Sequence, residues 1–151
     1  MSAEALPDFF AAVPAIVVAD PLAALLGAAE GGRLEYRYAD AVRLAGHSCP
    51  TVAGAWLMAR KALAHLYPDE LPQRGGLQVA LRQPLAEGVT GVVGSVLGLV
   101  TGAAGDGGFK GLAGRHVRRD LLRYGVAMAG DVRVTRLDNG AAVELTHHAQ
   151  A

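Results

Sequence analysis

Apolar and polar positions recur along this chain in two rhythms, one helical and one extended. The clearest helical stretch runs from Pro50 to about Leu66, with Val52, Trp56, Met58-Ala59, Leu63 and Leu66 on one face and Pro68 as the stop. Gly76 to Arg82 then switches to the strand rhythm, Leu77, Val79 and Leu81 alternating with Gln78, Ala80 and Arg82. Pro84 closes that strand, and a helix is predicted from about Glu87 to Thr101. Its Gly94 and Gly98, with Gly102 after them, fall every fourth residue and make one smooth stripe. Glycine inside a helix is unfavourable, so the stripe predicts a close helix neighbour, with Ala53-Gly54-Ala55 as the obvious partner face. A shorter helix is expected from about Tyr38 to Ala45, ended by Gly46, after an extended piece at Leu34-Glu35-Tyr36. Residues 7–31 read as short helices broken at Pro14 and Pro21, the second started by Asp20-Pro21 and ended by Gly31-Gly32. Val126 to His147 returns to strands, with Asp138-Asn139-Gly140 as the turn of a C-terminal hairpin.

The length of 151 residues suits one domain with a sizeable core, spanning 1–151, in which 1–32 is a helical cap or a docking arm for a second protomer. Hydrophobic residues make up 52% but aromatics only 5%, so the core is expected to be Ala, Val and Leu, and burial in an oligomer would add to it. The formal charge of zero gives no footprint for nucleic acid. A single cysteine excludes an intrachain disulfide and fits a reducing cytoplasm. Met1-Ser2-Ala3-Glu4 has no basic leader, and the uncharged run Gly88 to Gly105 is studded with glycine and lacks an aromatic girdle. It reads as a buried helix followed by a loop, so no membrane partner is expected.

Chemistry concentrates at Gly46-His47-Ser48-Cys49-Pro50-Thr51. Pro50 suits the first helical position, which puts Cys49 at or near the N-cap, where unpaired amides and the helix dipole favour an anion. A cysteine so placed deprotonates more easily than a free one. His47 stands on the incoming loop, and a thiolate and an imidazole are soft ligands for a transition metal. Two ligands do not fill a zinc shell; the rest must come from elsewhere in the fold, a partner chain or water. The plainer alternative is a small buried apolar cysteine beside a hydrogen-bonding histidine, and a nucleophilic thiol is a further one. His65 reads as a surface or helix-end-capping residue rather than a ligand, and His147-His148 as a disordered tail that is not a ligand pair.

Gly102 to Gly114 is a glycine-rich loop whose only charges are Asp106 and Lys110. It contains no Gly-Lys-Ser/Thr, so it is not a phosphate loop of the Walker type. Arg115, His116, Arg118, Arg119 and Arg123 follow on a short helix or turn, read either as a solvated face with Asp120 as partner or as capture of an anionic group.

Gly46-His47-Ser48-Cys49-Pro50, followed by a small-residue helix, resembles the His-Gly-His-x-Cys-Pro-Gly signature of the FmdE family, which is named for formylmethanofuran dehydrogenase. Glu87 to Gly91, the helix to Thr101-Gly102 and Gly105-Asp106-Gly107-Gly108-Phe109-Lys110-Gly111 are similar to that family's second block, so the likeness covers roughly residues 38 to 125. The resemblance implies an α+β domain with a mixed or antiparallel sheet flanked by helices. It also implies a homodimer and a divalent transition metal, zinc foremost, held by His47 and Cys49. The family takes its name from one-carbon metabolism, and many members stand alone in bacteria. Ala45 replaces the family's first histidine, the cysteine of the second block is absent, and so is its C-terminal zinc ribbon. The site is therefore depleted, completed by Asp106 or His116, or open to an external ligand.

Three functions compete on these residues. One is a metal-binding module. Another is an enzyme acting on a small acyl or formyl substrate, through metal-activated water or through Cys49 as nucleophile with His47 as base. The third is a small-molecule or cofactor carrier that uses Asp106, Lys110, Arg118 and Arg119 around an anionic ligand.

Overall fold

In the computed structural model, which describes residues 4–147, the predicted helices and strands pack into an α+β fold with two sheets. The chain begins with a 3-10 turn at Asp8–Ala12 and then forms β1 (Ile16–Ala19), α1 (Pro21–Leu25) and β2 (Arg33–Tyr36). β1 and β2 pair antiparallel, Ile16 opposite Tyr36 and Ala19 opposite Arg33. The helices α2 (Tyr38–Ala45) and α3 (Pro50–Leu66) follow, then β3 (Leu77–Leu81) and α4 (Thr90–Thr101). The chain closes with β4 (Leu122–Arg123), β5 (Val132–Arg136) and β6 (Ala142–Leu145). The second sheet has the order β4-β3-β5-β6, with β3 and β4 parallel and the other pairs antiparallel. Leu81 lies opposite Val132 and Val79 opposite Val134, so alternate residues of both strands enter the core together. α3 packs on α2, α4 and β6, and α4 packs on α2 and β3.

The apolar face read from α3 is the buried one: Val52, Trp56, Met58, Ala59, Leu63 and Leu66 are all inside. Trp56, 1% exposed, is the largest fully buried side chain. Its ring meets Tyr38 edge-on at 6.2 Å, and Tyr38 meets Phe10 at 5.1 Å, which ties α3 through α2 to the N-terminal turn. Gly46 ends α2 and Gly102 ends α4 with φ of 81° and 77°, the left-handed conformation that glycine adopts without steric cost. Among the described residues no helix is long and apolar enough to cross a membrane.

Several expectations are corrected. Residues 16–19 form a strand rather than part of a broken helix, because Ile-Val-Val-Ala is rich in β-branched residues and its Ile16 and Val18 are both buried. The segment before residue 32 is therefore not wholly helical. α1 stops at Leu25, well short of Gly31-Gly32. α4 begins at Thr90 rather than Glu87, since the Glu87 and Thr90 amides are used in turns onto the Pro84 and Glu87 carbonyls. Of the two readings of the basic stretch 115–123, the structure has the turn, at 119–120, followed by the short strand β4, and no helix.

The glycine stripe does not meet the Ala-Gly face of α3. A Cβ at Gly94 would strike the Tyr124 hydroxyl, one at Gly98 the Ala103 carbonyl and one at Gly102 the Arg118 guanidinium. On α3, Gly54 makes room instead for the imidazole of His147, which sits where a Cβ would point. The tail is thus ordered through His147, whose amide donates to Asp131 Oδ2 at 3.0 Å while Arg82 holds Oδ1 at 2.8 Å. His148 lies outside the described residues. A Gly54→Ala change displaces only a terminal ring and gains helix propensity of about 1 kcal/mol. Its net effect on unfolding in denaturant is expected to stay within about 1 kcal/mol.

Candidate metal centre

The motif forms because two helices are joined by a very short link. Gly46 turns the chain out of α2, Cys49 takes the extended N-cap conformation with φ −154°, and Pro50 opens α3. Between them the Ser48 hydroxyl and the buried Tyr38 hydroxyl lie 2.7 Å apart in a hydrogen bond, which fixes the link to the core. His47 is exposed, and its Nδ1 is 3.1 Å from the Ala45 carbonyl oxygen. With the proton on Nδ1 and donated to that carbonyl, Nε2 presents a lone pair, the arrangement common in metal-ligating histidines.

Cys49 is half-buried, one side against the core and the other open. Its sulfur makes no capping hydrogen bond of ordinary geometry. The Val52 amide nevertheless draws its pKa down most, with the Thr51 amide and the His47 imidazole acting in the same direction and partial burial acting against them. The thiol therefore titrates below the ordinary cysteine value, as expected of a sulfur at a helix start. Alkylation of Cys49 by iodoacetamide should rise with pH through an inflection below that of free cysteine, and His47→Ala should move the inflection upward. An inflection at the free-thiol value in the parent protein would contradict this electrostatic environment.

The structure disperses the other sequence candidates. Asp106, Lys110 and Arg119 are exposed on the glycine-rich loop and its continuation. His116 is half-buried on a tight turn with φ 62°, beside a hollow of about 340 Å³ shared with Arg74 and Arg118. Among the described residues no group of three or more His, Cys, Asp or Glu side chains could hold a metal ion. Neither Asp106 nor His116 therefore completes the His47–Cys49 pair.

Arg118 departs furthest from the expected solvated face. It is 6% exposed, and its partner is Asp20, not Asp120. Nη2 and Nη1 donate to the two Asp20 oxygens at 2.7 and 3.2 Å, and Arg74 Nη1 donates to Oδ2 at 2.9 Å. Oδ1 also caps α1 by accepting from the Leu22 and Ala23 amides. Burial pushes the Asp20 pKa up, but the Arg118, Arg74 and Ala23 hydrogen bonds outweigh it and bring the carboxyl from 3.8 to about 2. Sequence reading finds Asp20 as a helix starter and does not single out Arg74. Their meeting with Arg118 joins segments far apart in the chain, and no local pattern announces it.

Compared with known proteins, the chain matches no family model, no curated sequence and no solved structure.

Proposed function

We propose that this protein is a transition-metal-binding protein of the FmdE type, with Cys49 and His47 holding a thiophilic divalent ion, zinc foremost. The observation that supports this reading is the placement of an open sulfur and an exposed imidazole two residues apart at the start of α3. The donor types suit zinc, whereas their number does not fill its shell. The remaining positions fall to water, a bound small molecule or a second copy of the chain, which accords with a homodimer in the cytoplasm. A bound ion would supply Lewis acidity at an open position; the chain's own residues hold the sulfur at the helix mouth and orient the imidazole through the Ala45 carbonyl.

Elemental analysis of protein purified without chelator tests this. Zinc near one equivalent per chain or per dimer is expected in the parent protein, with little left in Cys49→Ser and less than the parent in His47→Ala. No zinc in the parent, and none taken up on dialysis against it, would contradict the reading. A second reading follows from the same lowered pKa: Cys49 as a nucleophile towards a small acyl or formyl group, with His47 as base. Labelling of Cys49 by an acyl donor in metal-free protein, lost in Cys49→Ser, would favour it over metal binding.

A further inference from the structure

We propose that the cleft beside Asp20, Arg74 and Arg118 binds a small amphiphilic anion, its oxyanion head on Arg74 above the buried Asp20–Arg118 pair and a short apolar tail along the small-residue side of α4. The proposal is independent of the Cys49 reading, since it uses none of that site's residues.

Charge is the first of two observations that carry it. Arg74 and Arg118 share the single carboxylate of Asp20, so the cluster keeps one positive charge that its ion pairs do not balance. Both Nη atoms of Arg118 donate to Asp20, and its Nε is a buried donor with no acceptor among the described residues. Arg74 uses Nε on the Leu99 carbonyl and Nη1 on Asp20, which leaves its Nη2 without an acceptor among the described residues. Unbalanced charge is unfavourable in a half-buried setting, and the Arg74 Nη2 is the donor that solvent or a ligand can reach. An oxyanion on the accessible Arg74 Nη2 supplies the missing charge, while Arg118 Nε lies beneath, out of reach of solvent, and guanidinium groups match the oxygens of carboxylate and phosphate.

Shape is the second observation. Both arginines line an open cleft of about 570 Å³. Its lining includes the backbone and small side chains of α4 and the 102–105 segment, the exposed Ser95 and the half-buried Gly98 among them, together with the exposed Leu44 and Phe109. Small residues leave the channel unfilled while Leu44 and Phe109 offer apolar contact, so a ligand with an apolar body beyond its charged head suits the whole cleft better than an inorganic anion.

Calorimetric titration of the full chain at neutral pH and low salt, with acetate, butyrate, hexanoate and hexyl phosphate, tests the proposal. Affinity is expected to rise on the order of threefold per added methylene. Whichever of hexanoate and hexyl phosphate binds more tightly identifies the head group. Arg74→Gln should weaken hexanoate at least tenfold. Ser95→Trp, which fills the channel, should flatten the dependence on chain length while acetate binding is kept, and it decides the question if Arg74→Gln does not fold. No binding of hexanoate overturns the proposal. So does an affinity independent of chain length and untouched by Ser95→Trp, which marks an adventitious ion only. Zinc content, read separately in each variant, should not change.

Discussion

Replacing Asp20 with alanine is expected to lower stability by about 3–5 kcal/mol. The carboxylate is 3% exposed and, among the described residues, is the only partner of the buried Arg118 guanidinium. Its loss leaves that charge inside the fold unpaired, removes the cap of α1 and frees Arg74 from one of its two anchors. For a chain of this size the melting temperature should fall by about 2–4 °C per kcal/mol lost. Asp20→Leu combined with Arg118→Met removes both charges and should recover much of the loss, because an apolar replacement of a buried pair is often neutral. A single Asp20→Ala variant melting within about 2 °C of the parent would show that the cluster carries little of the stability. The same group sets an acid limit. Its folded pKa of about 2 lies below the ordinary 3.8, so its contribution is complete above about pH 4 and is lost as the pH falls towards 2. The part that disappears across that window is on the order of 2 kcal/mol, and the steepness of acid unfolding there should lessen in Asp20→Ala.

Trp56→Ala should cost a similar amount, about 3–5 kcal/mol. Trp56 is the one tryptophan of the chain, and the core around it is built largely from small side chains that cannot expand into the space it leaves. The flanking Tyr38 is held by Ser48, which limits collapse from that side. Trp56→Phe isolates the volume effect. The indole Nε1 has no hydrogen-bond partner among the described residues, so phenylalanine gives up packing and no hydrogen bond. It should fall between the parent and alanine in denaturant unfolding. A Trp56→Ala variant as stable as the parent would mean that the N-terminal turn and α2 do not depend on this contact.

The parts of the fold legible from sequence are those decided by local rules. The α3 face follows from helical periodicity, β3 from alternation, the hairpin from Asn139-Gly140, and the ends of α2 and α4 from glycine at the left-handed position. The placement of Cys49 at the N-cap follows from Pro50. The misread parts are those decided by tertiary contact. β1 is only four residues long, too short for its β-branched, alternately buried pattern to stand out between Pro14 and Pro21 until β2 pairs with it. The glycines of α4 look like a helix-packing stripe, yet the groups against them are a tyrosine hydroxyl, a carbonyl and a guanidinium. Arg118 sits in a run of arginines that looks solvated, and only the return of the chain beside Asp20 buries it. His147 is placed by a space on Gly54 that no neighbouring residue in sequence reveals. The local half of the candidate centre is therefore legible in the sequence, whereas what would complete it belongs to packing or to another molecule.

Zinc-edge X-ray absorption on protein loaded with one equivalent of zinc tests the role of the His47–Cys49 pair most directly. One sulfur neighbour at about 2.3 Å, with nitrogen or oxygen neighbours at about 2.0–2.1 Å, is the expected first shell, and the sulfur should vanish in Cys49→Ser. A shell of nitrogen and oxygen alone in the parent protein, indistinguishable from that of Cys49→Ser, would show that the sulfur at the start of α3 holds no metal.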